Sequence, residues 1–397
     1  MNSNSTKEIP VTAIVVFNNG AYGGAPKRYT NLFLHLNNLY PGKFYYIVNR
    51  QLFNQLHEMY PSLPEDKIRV IELKNERNIE TTVSSKPKYY KGDDILDPLE
   101  IDKHHTIFRK VYWFYKNKNR QYNIFKKFEK LRTELSINIF YGVFAGILPL
   151  VFYLDKSPRK TAVVFSDMDS WFSDVHSDIR KLWYRKYYSF NFALENCDII
   201  DFLSPYVYDG VKERGIKLNE KSVHISPNSF ADYSKCSMGE KATDGSKFEI
   251  AFCARLEPDK NPVLFLEAAK EILIKYPSIK FHILGEGSLV NVIKDFIDSN
   301  KISESVNFKF HTNPPEIFKN TLIFVSLQSN TNYPSQSVLE AMACGNAIIA
   351  SSCGDTKLFI DGSNGILVDL KVDEITGAME KLINDPALAH QLGKNGR

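Results

Sequence analysis

Six short apolar segments recur between residues 248 and 368, and their alternation with helical spacing restricts the chain more than any other feature. Strands are expected near 248–253, 279–284, 305–310, 321–327, 346–351 and 364–368. Helices are expected near 261–276, 288–299, 314–319, 337–344 and 372–384. The strand segments are short and apolar, the pattern of strands covered on both faces. Parallel strands joined by helices are buried in that way, so this half of the chain predicts a mostly parallel sheet between helix layers. The chain opens in the same manner. VTAIVVF (11–17) is a compact apolar run, NNGAYGGAPKR (18–28) a glycine-rich turn, YTNLFLHLNNLY (29–40) has helical spacing, and KFYYIVN (43–49) is the next strand. The rhythm returns with TAVVFSD (161–167), a helix around 178–196, DIIDFLS (198–204) and SVHISPNSF (222–230).

A chain of 397 residues is too long for one ordinary core. ADYSKCSMGEKATDGSK (231–247) is polar and lacks an apolar face, so it reads as an interdomain linker. The expected architecture is α/β, with two Rossmann-like domains, 1–232 and 233–397, facing each other across a cleft at the carboxyl ends of their sheets. Ligands of open α/β sheets bind at such ends.

Fifty basic residues against 46 acidic ones give a net charge of +4, which supplies no whole-protein attraction for nucleic acid, and no nucleic-acid partner is expected. The five cysteines form no CxxC, the pattern of reduced thiols in a cytoplasmic protein. The polar start, MNSNSTKEIP, does not have the form of a signal peptide. INIFYGVFAGILPLVFYL (137–154) runs 18 residues without a charge, the lower edge of a membrane span. Gly142, Gly146 and Pro149 interrupt it and Asn138 lies near its start, so a buried strand at 137–141 leading into a core helix is the expectation, with the span as the alternative. Residues 75–135 are an insert, polar first and then basic and aromatic. From Ile101 to Arg132 ten Lys/Arg stand against two acids, interleaved with Trp113 and seven other aromatic residues. Cations and aromatics at helical spacing suit an anionic membrane surface, and equally an amphipathic helix packed on its own domain.

Candidate chemistry lies on the loops that follow strands. AFCARLEPDKNP (251–262) carries Arg255 and Lys260 beside a helix N-terminus, a setting that suits a diphosphate. FHILGEGSL (281–289) ends a strand in Gly285-Glu286-Gly287, where glycine lets a backbone approach a ligand, or simply makes a tight turn. GAYGGAPKR (20–28) places Gly24 before a helix whose amides suit an anion. Its spacing is not GxGxxG and no acid ends the second strand, which disfavours a nicotinamide enzyme. NTNYPSQSVLEAMACGNAIIASSCG (330–354) puts Glu340 in a short apolar helix. Ser337 and Glu340 have the spacing of a capping box, with serine at the N-cap, and the same helix start offers free amides to a ligand.

Taken together, the Arg255…Lys260 loop, the Gly285-Glu286-Gly287 strand end, VLEAMACGNAIIASSCG, DGSNGILVD (361–369) and Pro227-Asn228 resemble family 4 of the retaining glycosyltransferases, which has the two-domain GT-B fold. The resemblance covers about 222–397, is thinner over 11–36 and poor over 50–135. It implies sugar transfer, with retained anomeric configuration, from a nucleoside-diphosphate sugar to a glycan or lipid-linked acceptor in polysaccharide or lipopolysaccharide assembly. It implies that Arg255 and Lys260 neutralise the donor diphosphate and that Glu340 holds the nucleotide ribose. Backbone around Ser335, Gln336 and Ser337 would meet phosphate or sugar, and Gly24 would let the first domain close on the donor. No cofactor and no metal are implied, and the enzyme would work in the cytoplasm, attached to the inner face of a membrane. Asp167 and Asp169 form an Asp-x-Asp on the acceptor-side domain; such pairs hold a metal in the other glycosyltransferase fold, but here they read as acceptor-side carboxylates or a strand-end turn.

Three positions depart from the family pattern. Asn332 stands where the first acid of a pair falls, able to hydrogen-bond a sugar without bringing charge. Tyr333, Pro334 and Ser335 replace glycines, and Ser166 replaces a histidine. The sequence stops at LGKNGR, so the second domain is expected to lack its last helices, as a fragment would. Two other readings use the same fold: a nucleotide-sugar 2-epimerase, and a catalytically silent scaffold.

Overall fold

The computed structural model describes residues 8–18, 24–73, 107–143, 150, 160–165, 197–213, 218, 220–226, 232–244, 247–311 and 313–397. Asp167, Asp169 and Ser166, the helix expected around 178–196 and the polar half of the insert lie outside them. The chain divides into two compact units, Met1–Pro227 and Asn228–Arg397.

In the first unit, seven strands form one parallel sheet: β1 (Thr12–Val16), β2 (Phe44–Asn49), β3 (Ile68–Ile71), β4 (Ile139–Val143), β5 (Lys160–Phe165), β6 (Ile199–Phe202) and β7 (Val223–Ile225), in the order β3-β2-β1-β4-β5-β6-β7. The strand expected at 137–141 is β4, paired with β1 from Thr12↔Ile139 to Val16↔Val143. Among the described residues no helix is long and apolar enough to cross a membrane. Helix α1 (Gly24–Leu39) starts five residues before the apolar spacing begins, so Gly24 belongs to its first turn rather than to the preceding turn. Pro26 suits that turn because its missing N–H would have had no helical partner. Helix α2 (Arg50–Met59) and strand β3 were not anticipated; β3 is only four residues long and half of them are partly exposed, so its apolar signal is weak.

The basic insert contains helix α3 (Ile107–Leu135). Its C-terminal half packs inward, with Ile124, Phe125 and Phe128 buried and the Phe128 ring 6.2 Å from Phe17 and 5.7 Å from Phe140. Its other half carries Tyr112 at 62% and Tyr115 at 57% exposure. Helix α4 (Pro205–Glu213) follows β6.

The second unit holds β8 (Glu249–Cys253), β9 (Lys280–Leu284), β10 (Val306–Lys309), β11 (Ile323–Ser326), β12 (Ala347–Ser351) and β13 (Gly365–Val368) in a parallel sheet ordered β10-β9-β8-β11-β12-β13. All six were expected, and β11 and β12 are buried along their whole length. Between them run α5 (Pro262–Lys275), α6 (Val290–Ser299), α7 (Pro315–Phe318) and α8 (Gln336–Ala343), and after β13 come α9 (Val372–Asn384) and a helix not foreseen, α10 (Pro386–Gly396). The core gathers Phe252, Phe265, Phe281 and their aliphatic neighbours. Each such side chain contributes about 1.5–3 kcal/mol on burial, enough to fix which face of every helix turns inward.

The segment read as a linker is partly fastened down. Cys236 is buried among α8 and β12 residues, Gly239 N–H donates to Lys319 O at 3.0 Å, and the Lys241 ammonium donates to the carbonyls of Phe318 and Thr321. Lysine and glycine read as solvent-facing in a sequence, but here their polar atoms satisfy carbonyls that α7 leaves without helical partners.

In both sheets the order reverses beside the first strand: at β1/β4 in one unit and at β8/β11 in the other. Connections that leave in opposite directions open a crevice at the carboxyl ends of those two strands. In the second unit, the loops after β8 and β11 are the ones that carry the candidate residues.

Candidate functional site

The loop after β8 rests on the Gly-Glu-Gly strand end. Ala254 N–H donates to Leu284 O at 3.1 Å, Leu256 N–H to Glu286 O at 2.8 Å, and Leu289 N–H returns to Leu256 O at 3.0 Å. A Cβ on Gly285 would lie 2.0 Å from Ala254 O, and one on Gly287 would lie 2.5 Å from Leu256 O; both residues have positive φ, 152° and 159°. The need for glycine at both positions therefore comes from the protein's own backbone. Glu257 adds a staple that sequence reasoning missed. Its carboxylate accepts from the Ser288 N–H at 3.1 Å and from the Ser288 hydroxyl at 2.5 Å. An acid in a loop otherwise notable for cations was the one available signal.

The far end of this loop is tied to the loop after β11. Lys260 Nζ donates to Gln328 Oε1 at 2.7 Å and pairs with Asp259 at 2.9 Å. Asn261, in the left-handed region at φ 51° and ψ 44°, donates from Nδ2 to Leu327 O at 2.8 Å and to Ser329 Oγ at 3.1 Å. Ser329 N–H donates to Asp259 O at 3.0 Å. Asparagine tolerates this backbone region because its short polar side chain bonds locally. Lys260 is thus half-buried at the switch point of the second sheet, while Arg255 is exposed.

Asn332 does not face outward. It is 1% exposed and sits at the hub of a polar network. Its Oδ1 accepts from Ser326 Oγ at 2.6 Å, its Nδ2 donates to Ser351 Oγ at 3.0 Å, and its N–H donates to Thr356 Oγ1 at 3.1 Å. Ser351 Oγ in turn donates to Gln328 O at 2.7 Å, so the network reaches the residue that holds Lys260. Ser326, Gln328, Ser351 and Thr356 carry no motif of their own, and only the approach of the β11 and β12 ends brings them together.

The N-cap of helix α8 falls two residues before the one that the capping-box spacing suggested. Its N-cap is Ser335, in extended backbone at φ −74° and ψ 123°, and no side chain caps it. Ser337 is therefore inside the helix, with its Oγ 3.3 Å from that of Ser335. Glu340 lies in the second turn and is 3% exposed. The capping-box reading fails because the Asn332–Ser335 turn, closed by Ser335 N–H to Asn332 O at 2.6 Å, delivers the chain into the helix before Ser337. At the other end Gly345, at φ +74°, donates to Met342 O at 2.8 Å and Asn346 N–H to Ala341 O at 3.1 Å. That is a Schellman closure, and it explains the Cys-Gly-Asn that follows the apolar helix.

In the first unit, the start of the glycine-rich turn is pinned. Asn18 N–H donates to Asn49 Oδ1 at 2.9 Å and Asn49 Nδ2 donates to Asn18 O at 3.0 Å. A buried group unforeseen in the sequence lies on the same sheet. Tyr141 donates to Asp201 Oδ2 at 3.0 Å, and burial pushes the Asp201 carboxyl above the ordinary carboxylate range against the lowering effect of Ser226 and Tyr141. Gly24, exposed in the first turn of α1, shares the unit of this group and not that of Lys260 and Glu340. Among the described residues no group of three His, Cys, Asp or Glu is arranged to hold a metal ion.

The family model for glycosyl transferases group 1 matches residues 237–397. The chain is similar to the poly(ribitol-phosphate) alpha-N-acetylglucosaminyltransferase of Staphylococcus aureus (strain COL), 28% identical over 153 residues, 37% of this chain and 31% of the relative. It is also similar to the UDP-Gal:alpha-D-GlcNAc-diphosphoundecaprenol alpha-1,3-galactosyltransferase of Escherichia coli, 30% identical over 158 residues, 38% of this chain and 40% of the relative. The chain thus spans less than two thirds of the length of these curated relatives. Among solved structures, Anabaena Alr3699/HepE in complex with UDP superposes with a TM-score of 0.64 at 14% identity, over 97% of this chain and 93% of that one. That likeness gives the fold as GT-B, with two Rossmann-like units. The family model for glycosyl transferases group 1 thus matches the segment that carries Lys260, Asn332 and Glu340.

Proposed function

We propose that this protein is a retaining glycosyltransferase that moves a sugar from a nucleoside-diphosphate sugar to a glycan or lipid-linked acceptor. The observation that carries the reading is the fastening of the Arg255–Lys260 loop to the loop that leads into α8, at the switch point of a sheet in the group 1 segment. Cations and helix-start amides so gathered suit a leaving diphosphate, whose departure fixed positive charge accelerates. In this reading Lys260 exchanges Gln328 for a phosphate oxygen, Arg255 neutralises the second phosphate, and Glu340 takes the ribose hydroxyls. Amides of Gln336 and Ser337 meet phosphate or sugar, and no metal is needed. The complex of HepE with UDP supports a uridine donor, and the acceptors in the names of the two relatives support a phosphate-bearing polymer or a lipid diphosphate.

The finer setting belongs to the same proposal: polysaccharide assembly at an anionic membrane surface on the cytoplasmic side. The exposed Tyr112 and Tyr115, next to Lys116 and Lys118 on the outward half of α3, support it. The test is a thermal-shift panel of nucleoside diphosphates and their sugars, run beside Lys260→Ala. A rise in melting temperature with UDP or a UDP-sugar is expected, with binding at least ~10-fold weaker in Lys260→Ala, about 1.4 kcal/mol. Equal shifts in the folded variant would remove Lys260 from the donor site, and a flat panel would remove the donor class.

A further inference from the structure

Lys260 is held by two groups that differ in charge. Its Nζ donates to Gln328 Oε1 at 2.7 Å and pairs with the Asp259 carboxylate at 2.9 Å. The Asp259 side chain is 42% exposed and that of Lys260 18%. An ion pair open to water is weak, and the long stem of a lysine has many rotamers, so Asp259 alone fixes no direction for the ammonium. Gln328 is the partner with a fixed seat. Its backbone carbonyl accepts from the Ser351 hydroxyl at 2.7 Å and from the Cys353 thiol at 3.1 Å. The residues on either side of it are bound to the loop that carries Lys260: Leu327 O accepts from Asn261 Nδ2 at 2.8 Å, and Ser329 N–H donates to Asp259 O at 3.0 Å. The backbone that bears Gln328 is thus fastened to the backbone that bears Lys260, and one amide arm spans the distance between them.

We propose, resting on the reading of Lys260 as a diphosphate ligand, that Gln328 is a positioning residue for the transfer: a neutral acceptor that keeps the Lys260 ammonium in place before the donor arrives and leaves its charge free to meet a phosphate. A carboxylate at position 328 would hold the ammonium as firmly but would cancel its charge, and the donor would have to displace an ion pair. An apolar side chain would leave the ammonium to Asp259 and to the rotamers of its own stem. The amide oxygen of glutamine avoids both, because it accepts one of the three ammonium protons and carries no net charge. A charged phosphate oxygen makes a stronger bond to an ammonium than an amide oxygen does, so the exchange of Gln328 for phosphate runs toward the bound state. The ordering of the lysine stem is complete before binding, which is the condition for a preorganised site. Ser351 supports the arrangement one step further out, through the carbonyl of Gln328.

The experiment titrates UDP, ADP and GDP calorimetrically into the full chain and carries the tightest binder through Lys260→Ala, Gln328→Met, Gln328→Glu and the double variant Lys260→Ala/Gln328→Met. Gln328→Met is expected to weaken binding about 5-fold, and Gln328→Glu at least ~10-fold although the side-chain shape is kept. In the Lys260→Ala background, Gln328→Met should change affinity by less than about 2-fold, since the lysine it positions is gone. A loop that was merely loosened would lose affinity in both backgrounds. The bonds from Ser351 and Cys353 go to the Gln328 backbone and do not involve the substituted side chain, and melting curves check that each variant is folded. Where Gln328→Met folds poorly, Gln328→Glu decides alone. If Lys260→Ala weakens binding while either folded Gln328 variant matches wild type, or if Gln328→Met has the same effect with and without Lys260, the positioning role is overturned and Lys260 stays in the donor site. If Lys260→Ala binds as wild type does, or no nucleotide binds, the donor reading falls and the role of Gln328 with it.

Discussion

Asn332→Asp puts a carboxylate where the resemblance led us to expect the first acid of a pair, and the network around Asn332 predicts that it harms the fold. Asn332 Nδ2 donates to Ser351 Oγ at 3.0 Å and faces the carbonyls of Ser326 and Ser351 at 3.5 Å each. The Ser351 proton is already given to Gln328 O at 2.7 Å. An oxygen in place of Nδ2 meets three acceptors and no free donor. Ser351 can turn to donate to it only by leaving Gln328, the residue that holds Lys260. Losing one good hydrogen bond costs about 1 kcal/mol, and leaving a buried polar group unsatisfied costs about 1–3 more, so the expected destabilisation is about 2–4 kcal/mol. Burial disfavours the ionised form, so the carboxyl would have a higher pKa folded than unfolded. The sign follows: its penalty is small below the unfolded value near ~4 and grows as pH rises through the folded value. Urea unfolding of both proteins at about pH 5 and pH 8 measures this, with the gap between them wider at the higher pH. Equal stability at the higher pH, together with tighter donor binding, would refute the network reading and return position 332 to the ligand.

Glu340→Gln should weaken UDP-sugar affinity at least ~10-fold; isothermal titration beside a melting curve separates loss of a ligand contact from loss of stability, and unchanged affinity in the folded variant would remove Glu340 from the donor site. Gly287→Ala should destabilise by more than ~2 kcal/mol in chemical unfolding, since its Cβ would meet Leu256 backbone at 2.5–2.8 Å and its φ is positive. Asp201→Asn should flatten the pH dependence of first-unit stability. Burial raises the Asp201 carboxyl, so its contribution is full below the unfolded carboxylate value and lost as pH rises through the folded one. Equal slopes in wild type and variant would show that Asp201 does not titrate in its buried setting.

The strand–helix alternation of the second unit was legible because most of the β8–β13 segments are apolar on both faces, the edge strand β10 being the exception, a property of composition that needs no knowledge of neighbours. Arg255, Lys260 and Glu340 were legible as types at strand ends. Their surroundings were not. Gly285 and Gly287 looked like a ligand's approach path and turned out to admit the 254–256 backbone. Helix α8 was expected at 337–344, but its first residue is Gln336, and that single-residue difference removes the capping box. Gln328, Ser351 and Thr356 had no signal at all, since a lone polar residue after a strand is common, and Glu257 had only its charge in a cationic loop.

The sequence by itself determined that two α/β units form and where most of their strands lie, β3 excepted, because periodic burial and local turn chemistry act over a few residues. Only the tertiary structure decided which polar groups meet. Asn332 reaches Ser351 across 19 residues, Lys260 reaches Gln328 across 68, and Tyr141 reaches Asp201 across 60. Hydrogen bonds depend on ångström distances between strand ends, and the order of strands in a sheet, not their order in the chain, sets those distances.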